Sequence, residues 1–368
     1  MIVGVPKEIK DNEYRVAIVP SGVKILTGNG HTVLIQGNAG LGSGIPDEEY
    51  QTAGAVVIPS AEELFEKSDL IVKVKEPLSQ EYSFLRSNQA LFTFLHLASN
   101  KALTGRLVES GITAIAYEAV QLEDGTLPIL IPMSEIAGRM APIVATYHLQ
   151  ESQGGSGVLI SGVPGVAPGK VTILGAGTVG RNAARIAVGM GGRVVMLDRD
   201  SKHLRYIDDA FDGRITTMAS NEHSIEEEAL SSDIVIGAVL NPGARAPFLV
   251  KKDLVSRMRR GSVIVDVSID QGGCVETSRP TTHSNPVFVV DGVIHYCVVN
   301  MPGAFPRTST FALCNVTIPY ILKLANLGWR KAVQEDQGLA KGLNVIGGRV
   351  THPAVASALG LEYEPFVC

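Results

Sequence analysis

The chain is poor in aromatic residues, 5% of 368, with one tryptophan. Its four cysteines, Cys274, Cys297, Cys314 and Cys368, include no Cys-x-x-Cys pair. That excludes a disulfide-dense scaffold and offers no paired zinc ligands, so the thiols read as reduced. There is no excess of positive charge: 32 Lys and Arg stand against 37 Asp and Glu, a formal net charge of −5. Binding to nucleic acid or to an anionic membrane through bulk charge is therefore unsupported. No run of about 18 uncharged apolar residues is present, so no transmembrane helix is expected. The opening residues Met1-Ile-Val-Gly-Val-Pro-Lys-Glu lack the apolar core of a signal peptide, so a cytoplasmic location is expected. Disorder is excluded by 45% hydrophobic and 19% charged residues.

The length suits two domains. Glycine, at 39 residues, is abundant, as many tight strand-to-helix turns require. Apolar runs predict strands over 2–5, 33–36, 55–58, 70–74, 91–95 and 113–116, with amphipathic helices between them. Ser21, Asp47 and Ser60 are candidate helix caps. A long helix is predicted over 134–150, then a second strand series over 171–174, 193–197, 214–217, 234–237, 262–267 and 287–290. Continuous apolar strands alternating with helices predict parallel sheets covered on both faces. After a helix over 311–327 the tail, 329–368, reads as helical without strong strands. The expectation is a discontinuous first domain, 1–130 plus 305–368, with a second domain, 131–304, inserted in it.

Gly175-Ala-Gly177-Thr-Val-Gly180 is a G-x-G-x-x-G motif after an apolar strand and at the start of a helix. Asp198 ends the next strand, 18 residues past Gly180. These three features together predict a Rossmann dinucleotide site: α/β, doubly wound, with pyrophosphate at the helix N-terminus. Asp198 is placed to accept bonds from both ribose hydroxyls and to repel a 2′-phosphate, which favours NAD over NADP. Arg199 beside it offers a phosphate some accommodation. The stretch 165–170 fails as a Walker A loop, because Pro164 and Val171 occupy its glycine and hydroxyl positions. Neither G-x-S-x-G nor H-E-x-x-H is present, so acyl transfer and zinc hydrolysis lack support.

Ligands of open parallel sheets bind beyond the carboxyl ends of the strands. Lys75, His96 and Asp270 each follow an apolar strand, and Arg15 lies in Asn12-Glu-Tyr-Arg15-Val. Each has a bland reading: a strand-end charge for Lys75, a structural histidine, a turn cap for Asp270, a surface cation for Arg15. Together they suit a nicotinamide enzyme. Arg forks a carboxylate, His moves protons near neutral pH, and a carboxylate holds water or ammonia.

The same residues carry a resemblance. Val3-Gly-Val-Pro-Lys-Glu, Val74-Lys-Glu-Pro77, Phe92-Thr-Phe-Leu-His96-Leu, Pro132-Met-Ser134-Glu, Gly175–Gly180, Asp270-Gln-Gly-Gly273, Ser278-Arg-Pro-Thr-Thr and Asn300-Met-Pro302 resemble the alanine dehydrogenase family over the whole length. Related transhydrogenase subunits share part of the pattern. The resemblance implies two Rossmann-like domains, the NAD-binding one inserted, and reversible oxidative deamination of L-alanine to pyruvate and ammonium. It implies that Arg15 and Lys75 bind substrate, that His96 is the acid/base and that Asp270 assists. It also implies an NAD site lined by Ser134, Thr178, Val179, Asp198, His203, Ser220, Val239, Leu240, Val267, Ser268, Ile269, Arg279, Val298, Val299, Asn300 and Met301, in addition to Gly175, Gly177 and Gly180. A homohexamer follows from the resemblance alone. His203 stands where relatives often carry a longer cation, and Lys323 and Leu327 stand where some place metal-binding groups. Neither of the latter suits a hard cation, so no metal is expected.

Overall fold

The computed structural model describes residues 1–239 and 247–366. Two compact units are seen: Met1–Met133 joined by the chain from Phe305 onward, and Ser134–Ala304. Both are doubly wound α/β.

In the first unit the strands are β1 (Ile2–Val5), β2 (Thr32–Gln36), β3 (Val56–Ile58), β4 (Leu70–Val72), β5 (Ala90–Thr93) and β6 (Thr113–Ala116). The second unit contributes β7 (Lys170–Leu174), β8 (Arg193–Asp198), β9 (Ile215–Ala219), β10 (Ile234–Gly237), β11 (Val263–Asp266), β12 (Val287–Val290) and β13 (Val293–Tyr296). Two short strands, β14 (Leu343–Ile346) and β15 (Arg349–Val350), return to the first sheet.

The first sheet runs β15-β14-β6-β5-β4-β1-β2-β3, the second β12-β13-β11-β10-β7-β8-β9. Pairing is parallel except where β14 meets β6 and β15, and where β12 meets β13. The parallel strands read as apolar runs because helices cover both faces. β4, β5, β7, β10 and β11 are buried along their whole length.

β14 and β15 correct the expectation of a helical tail. They are short strands around the Gly347-Gly348 turn, β14 paired between β6 and β15 with β15 at the edge; both glycines have positive φ, and that two-glycine turn is the available signal. β13 was also missed, although Asp291-Gly292 separates it from β12 in the same way. Ser60 caps its helix, accepting from the Glu63 N–H. Ser21 and Asp47 do not, because Pro20 and Pro46 shift the starts: Val19 and Pro46 take the cap positions.

Among the described residues one helix, Pro306–Glu335, is long and apolar enough by length and composition to cross a membrane. A search for uncharged runs overlooks it, since Lys323 interrupts the apolar stretch. Gly328, at φ 71° and ψ 156°, breaks its helical path. Its polar face is bonded into the first unit: Thr310 Oγ1 accepts from the Val16 N–H at 3.1 Å, and Cys314 Sγ donates to the Ala17 carbonyl at 3.1 Å.

Candidate functional site

In the first sheet β1 and β4 are neighbours with β2 and β5 outside them, so the winding direction reverses between β1 and β4. The crevice at such a reversal is where open sheets bind ligands. Arg15 follows β1, Lys75 follows β4 and His96 follows β5. The order of the second sheet makes β7 and β10 the equivalent pair. Gly175–Gly180 follows β7, Asp198 ends β8, Val239 follows β10, and Val267–Gln271 follows β11.

Arg15 is only 2% exposed, which overturns its reading as a surface cation. Its fork is held by Glu13: Nε donates to Oε1 at 2.7 Å and Nη2 to Oε2 at 2.5 Å. Nη1 points at Met133 Sδ, 3.2 Å away. Sulfur is a weak acceptor, so a substrate carboxylate would displace it readily. Lys75 is buried, not a solvated strand end. Its Nζ lies 5.8 Å from the centre of the Phe94 ring. His96 stacks parallel to the same ring at 5.8 Å between centroids. Phe94, itself fixed edge-on by Tyr117, thus organises both groups. His96 is exposed, which removes the reading as a core histidine.

Behind these side chains stand acids that sequence reasoning missed. Glu8 Oε1 accepts from the Val74 N–H at 2.6 Å and from that of Lys75 at 3.3 Å. Lys73, fully buried, bridges Glu8 at 3.2 Å and Glu81 at 2.8 Å. Burial pushes the Glu8 carboxyl up, and neighbouring Glu13 and Glu81 outweigh part of the opposing pull of Lys73. Burial disfavours the Lys73 cation, yet the two carboxylates raise its pKa on balance. Glu118 accepts from the backbone N–H groups of Leu95 and His96. The signal for Glu8 was its place just past β1; Glu13 and Glu118 resemble ordinary surface acids.

In the second unit the glycines divide their tasks. Gly175 sits at φ 105°, and a β-carbon there would lie 2.6 Å from the Ala238 carbonyl oxygen. A β-carbon on Gly180 would lie 1.8 Å from the Gly175 oxygen. Around Gly177, its chain neighbours aside, no atom among the described residues lies within 4 Å of that position, at the N-cap of helix Thr178–Gly189. That open space beside uncapped helix N–H groups suits a pyrophosphate. Asp198 Oδ2 accepts from the Ala176 N–H at 2.6 Å, and Oδ1 from that of Asp200 at 2.7 Å. A carboxylate has about four acceptor sites, so ribose hydroxyls can still be bound. His203 Nδ1 lies 3.5 Å from Asp198 Oδ2, and the Ser220 N–H donates to the Asp198 carbonyl.

Ser134 lies one turn before Gly138, whose β-carbon position is 2.3 Å from the Val179 carbonyl; that close approach brings Ser134 toward the start of the glycine-motif helix. Ser268 Oγ donates to the Val239 carbonyl, tying together the loops after β10 and β11. The Arg279 guanidinium lies over Phe288 at 4.4 Å. The Val299 N–H donates to Thr281, Asn300 is left-handed at φ 71°, and Val298 and Met301 are buried. Leu240 lies outside the described residues. Asp270 is exposed on the turn Val267–Gln271. It is not the cap: buried Asp266 is, accepting from Ser268, Cys274 and Val275 N–H groups. Burial raises the Asp266 carboxyl despite these bonds.

Among the described residues no group of three or more His, Cys, Asp and Glu is gathered to hold a metal ion. Lys323 pairs with Asp336 at 2.6 Å. Cys274, Cys297 and Cys314 are free thiols.

The model for "Alanine dehydrogenase/PNT, N-terminal domain" matches residues 4–137, and that for the C-terminal domain matches 141–353. The chain belongs to the alanine dehydrogenase/PNT family. Within this family it is 54% identical to an alanine dehydrogenase of Mycolicibacterium smegmatis, over 99% of this chain and 98% of that protein. A solved L-alanine dehydrogenase superposes with a TM-score of 0.95 at 52% identity, covering 98% of this chain and 99% of that one. A transhydrogenase from Sinorhizobium meliloti superposes at 0.81 with 27% identity, covering 96% of this chain and all of that one. The family is pyridine-nucleotide-dependent, and its alanine dehydrogenases share about twice as much sequence with this chain as that transhydrogenase does.

Proposed function

We propose that the protein catalyses the reversible, NAD-dependent oxidative deamination of L-alanine to pyruvate and ammonium. Identity of 54% to an alanine dehydrogenase, end to end, carries this reading. Buried Arg15, buried Lys75 and exposed His96, the last two gathered on Phe94, give it chemistry.

Arg15, its orientation fixed by Glu13, presents its Nη1 edge to the alanine carboxylate. Lys75 donates to substrate oxygen and offsets the negative charge that develops there. Bound NAD supplies the hydride acceptor. Gly177 and the helix N-terminus at Thr178 hold its pyrophosphate, and Asp198 holds the adenosine ribose and disfavours a 2′-phosphate. Once the substrate carbon is oxidised to the iminium level, water adds to it and His96 takes the water's proton. His96 returns that proton to nitrogen and takes the proton of the added hydroxyl as the C–N bond breaks, which leaves pyruvate and ammonia. Asp270 accepts a hydrogen bond from the attacking water or the departing ammonia. Following the resemblance, the protein assembles as a homohexamer, which sedimentation velocity tests.

The experiment is NADH absorbance in both directions: alanine with NAD, and pyruvate with ammonium and NADH. NADP is run beside NAD, and serine and glutamate beside alanine. Turnover with alanine and NAD is expected. His96→Ala should lower kcat about 10²–10⁴-fold with NAD affinity retained. NAD binding without turnover of any amino acid overturns the enzyme reading, and undiminished activity in His96→Ala removes that residue from the mechanism.

A further inference from the structure

We propose that Glu118 is the positioning residue for His96. Its carboxylate clamps the backbone that aims the imidazole, an inference that rests on reading His96 as the proton shuttle. His96 has φ 49° and ψ 39°, a left-handed conformation that a β-carbon disfavours. Such strain persists only where the surroundings enforce it.

Glu118 supplies the enforcement. It follows β6, the parallel neighbour of β5. Its Oε1 accepts from the His96 N–H at 2.6 Å, and the Leu95 N–H lies 3.2–3.3 Å from both carboxylate oxygens. The last two N–H groups beyond β5 therefore point at a side chain and not at the adjacent strand. The chain is turned out of the sheet at His96, and the ring lands on Phe94 with 43% of the side chain exposed.

Glu118 makes no hydrogen bond to the imidazole and pairs with it only when the ring is protonated. Its Nδ1 is 3.8 Å from Oε1, beyond hydrogen-bond length. What the backbone requires is an acceptor; a negative charge is not essential. Glutamine supplies that acceptor, whereas alanine supplies none.

The test compares Glu118→Ala and Glu118→Gln in the full chain with NAD and alanine. Misplacing a reacting group by about 1 Å can cost about 100-fold in rate, so Glu118→Ala should lose about that in kcat. The alanine KM and the NAD Kd, by calorimetry, should stay within about threefold, because ground-state binding is untouched. Glu118→Gln should recover kcat to within about fivefold of wild type. Normal kcat in Glu118→Ala overturns the proposal, and so does Glu118→Gln as slow as Glu118→Ala, which would assign the effect to charge. If Glu118→Ala does not fold, Glu118→Asp takes its place: one methylene shorter, it cannot reach both N–H groups, and a normal kcat there is equally fatal. Absence of turnover in the wild-type protein overturns the catalytic reading of His96 and this proposal with it. Wild-type turnover with indifferent variants overturns the proposal alone.

Discussion

At the carboxyl edge of the first sheet, cations are held against buried acids: Arg15 by Glu13, and Lys73 by Glu8 and Glu81. At the same edge of the second sheet, the work falls to backbone: Gly175, Gly177, Gly180 and the N–H groups gathered by Asp198 and Asp266. The strand order is the same, running outward from β1 and β4 in one and from β7 and β10 in the other. The difference follows from the ligands proposed. A small amino acid offers one carboxylate and one amine, and only fixed side-chain charges can orient it. A dinucleotide offers a long, multiply charged backbone, which a glycine turn and a helix N-terminus bind without any side chain. The same fold thus accepts two kinds of recognition, and each has its own point of failure.

The first unit should fail through charge. Lys73→Met leaves Glu8 and Glu81 buried without their cation, and breaking such a group should cost about 3–5 kcal/mol. Glu8 also receives the Lys75 N–H, so alanine binding should weaken in parallel. Urea unfolding measures the first effect and alanine KM the second. Adding Glu8→Gln and Glu81→Gln should restore most of the stability, since the uncompensated charges are gone. A loss below about 1 kcal/mol in Lys73→Met would mean that the three charges do not depend on one another.

The second unit should fail through backbone space. Gly180→Ala brings a β-carbon to 1.8 Å from a carbonyl oxygen, so the turn must shift, at roughly 1–3 kcal/mol, and NAD binding is lost. Gly177→Ala meets no atom within 4 Å among the described residues, its chain neighbours aside. It should leave the melting temperature unchanged and weaken NAD alone. Equal NAD affinity in Gly177→Ala would remove the pyrophosphate from that space, and a lowered melting temperature would make Gly177 a folding glycine like Gly180.

This contrast also explains what could be read from the sequence. Backbone recognition leaves a linear trace, because the glycines, the helix they open and Asp198 fall within one βαβ stretch. Side-chain recognition leaves almost none. Glu8 reaches the backbone of Val74 from 66 residues away, and Glu118 reaches His96 across 22. Nothing local separates such acids from solvated ones. Long apolar strands such as β7 were legible because burial on both faces writes an uninterrupted run. β14 and β15 were not, since strands of four and two residues make no period to count. Arg15 looked like a surface cation because its burial depends on Glu13 and Met133, and neither contact has a sequence signature.

The smallest effect concerns a histidine that the comparison would otherwise assign to neither scheme. His295, on β13, is fully buried; its Nδ1 faces the Val293 carbonyl at 3.0 Å and its Nε2 the Thr277 hydroxyl at 2.7 Å. A carbonyl only accepts, so Nδ1 carries the proton and Nε2 accepts from Thr277, which satisfies a neutral ring. Phe288 stacks on that ring, and the Arg279 guanidinium lies over Phe288. Burial holds the His295 pKa below its ordinary value, only partly offset by the bond to Val293. The unfolded chain then takes up a proton near pH 6.5 that the folded chain refuses, so stability falls as pH drops below 6.5. His295→Gln keeps an acceptor for Thr277 and has nothing to titrate. Calorimetric melting at pH 7.5 and 5.5 should therefore show a smaller acid loss in the variant than in wild type. If the two lose stability equally, the acid response lies elsewhere, with buried His148 or half-buried His352, whose pKa values burial also lowers. If only the variant resists acid, and NAD binding resists with it, then the perch of Arg279 on Phe288 depends on an uncharged ring beneath it. The backbone-built unit would then contain one side-chain charge that must stay absent, the converse of the first unit, where the charges must stay paired.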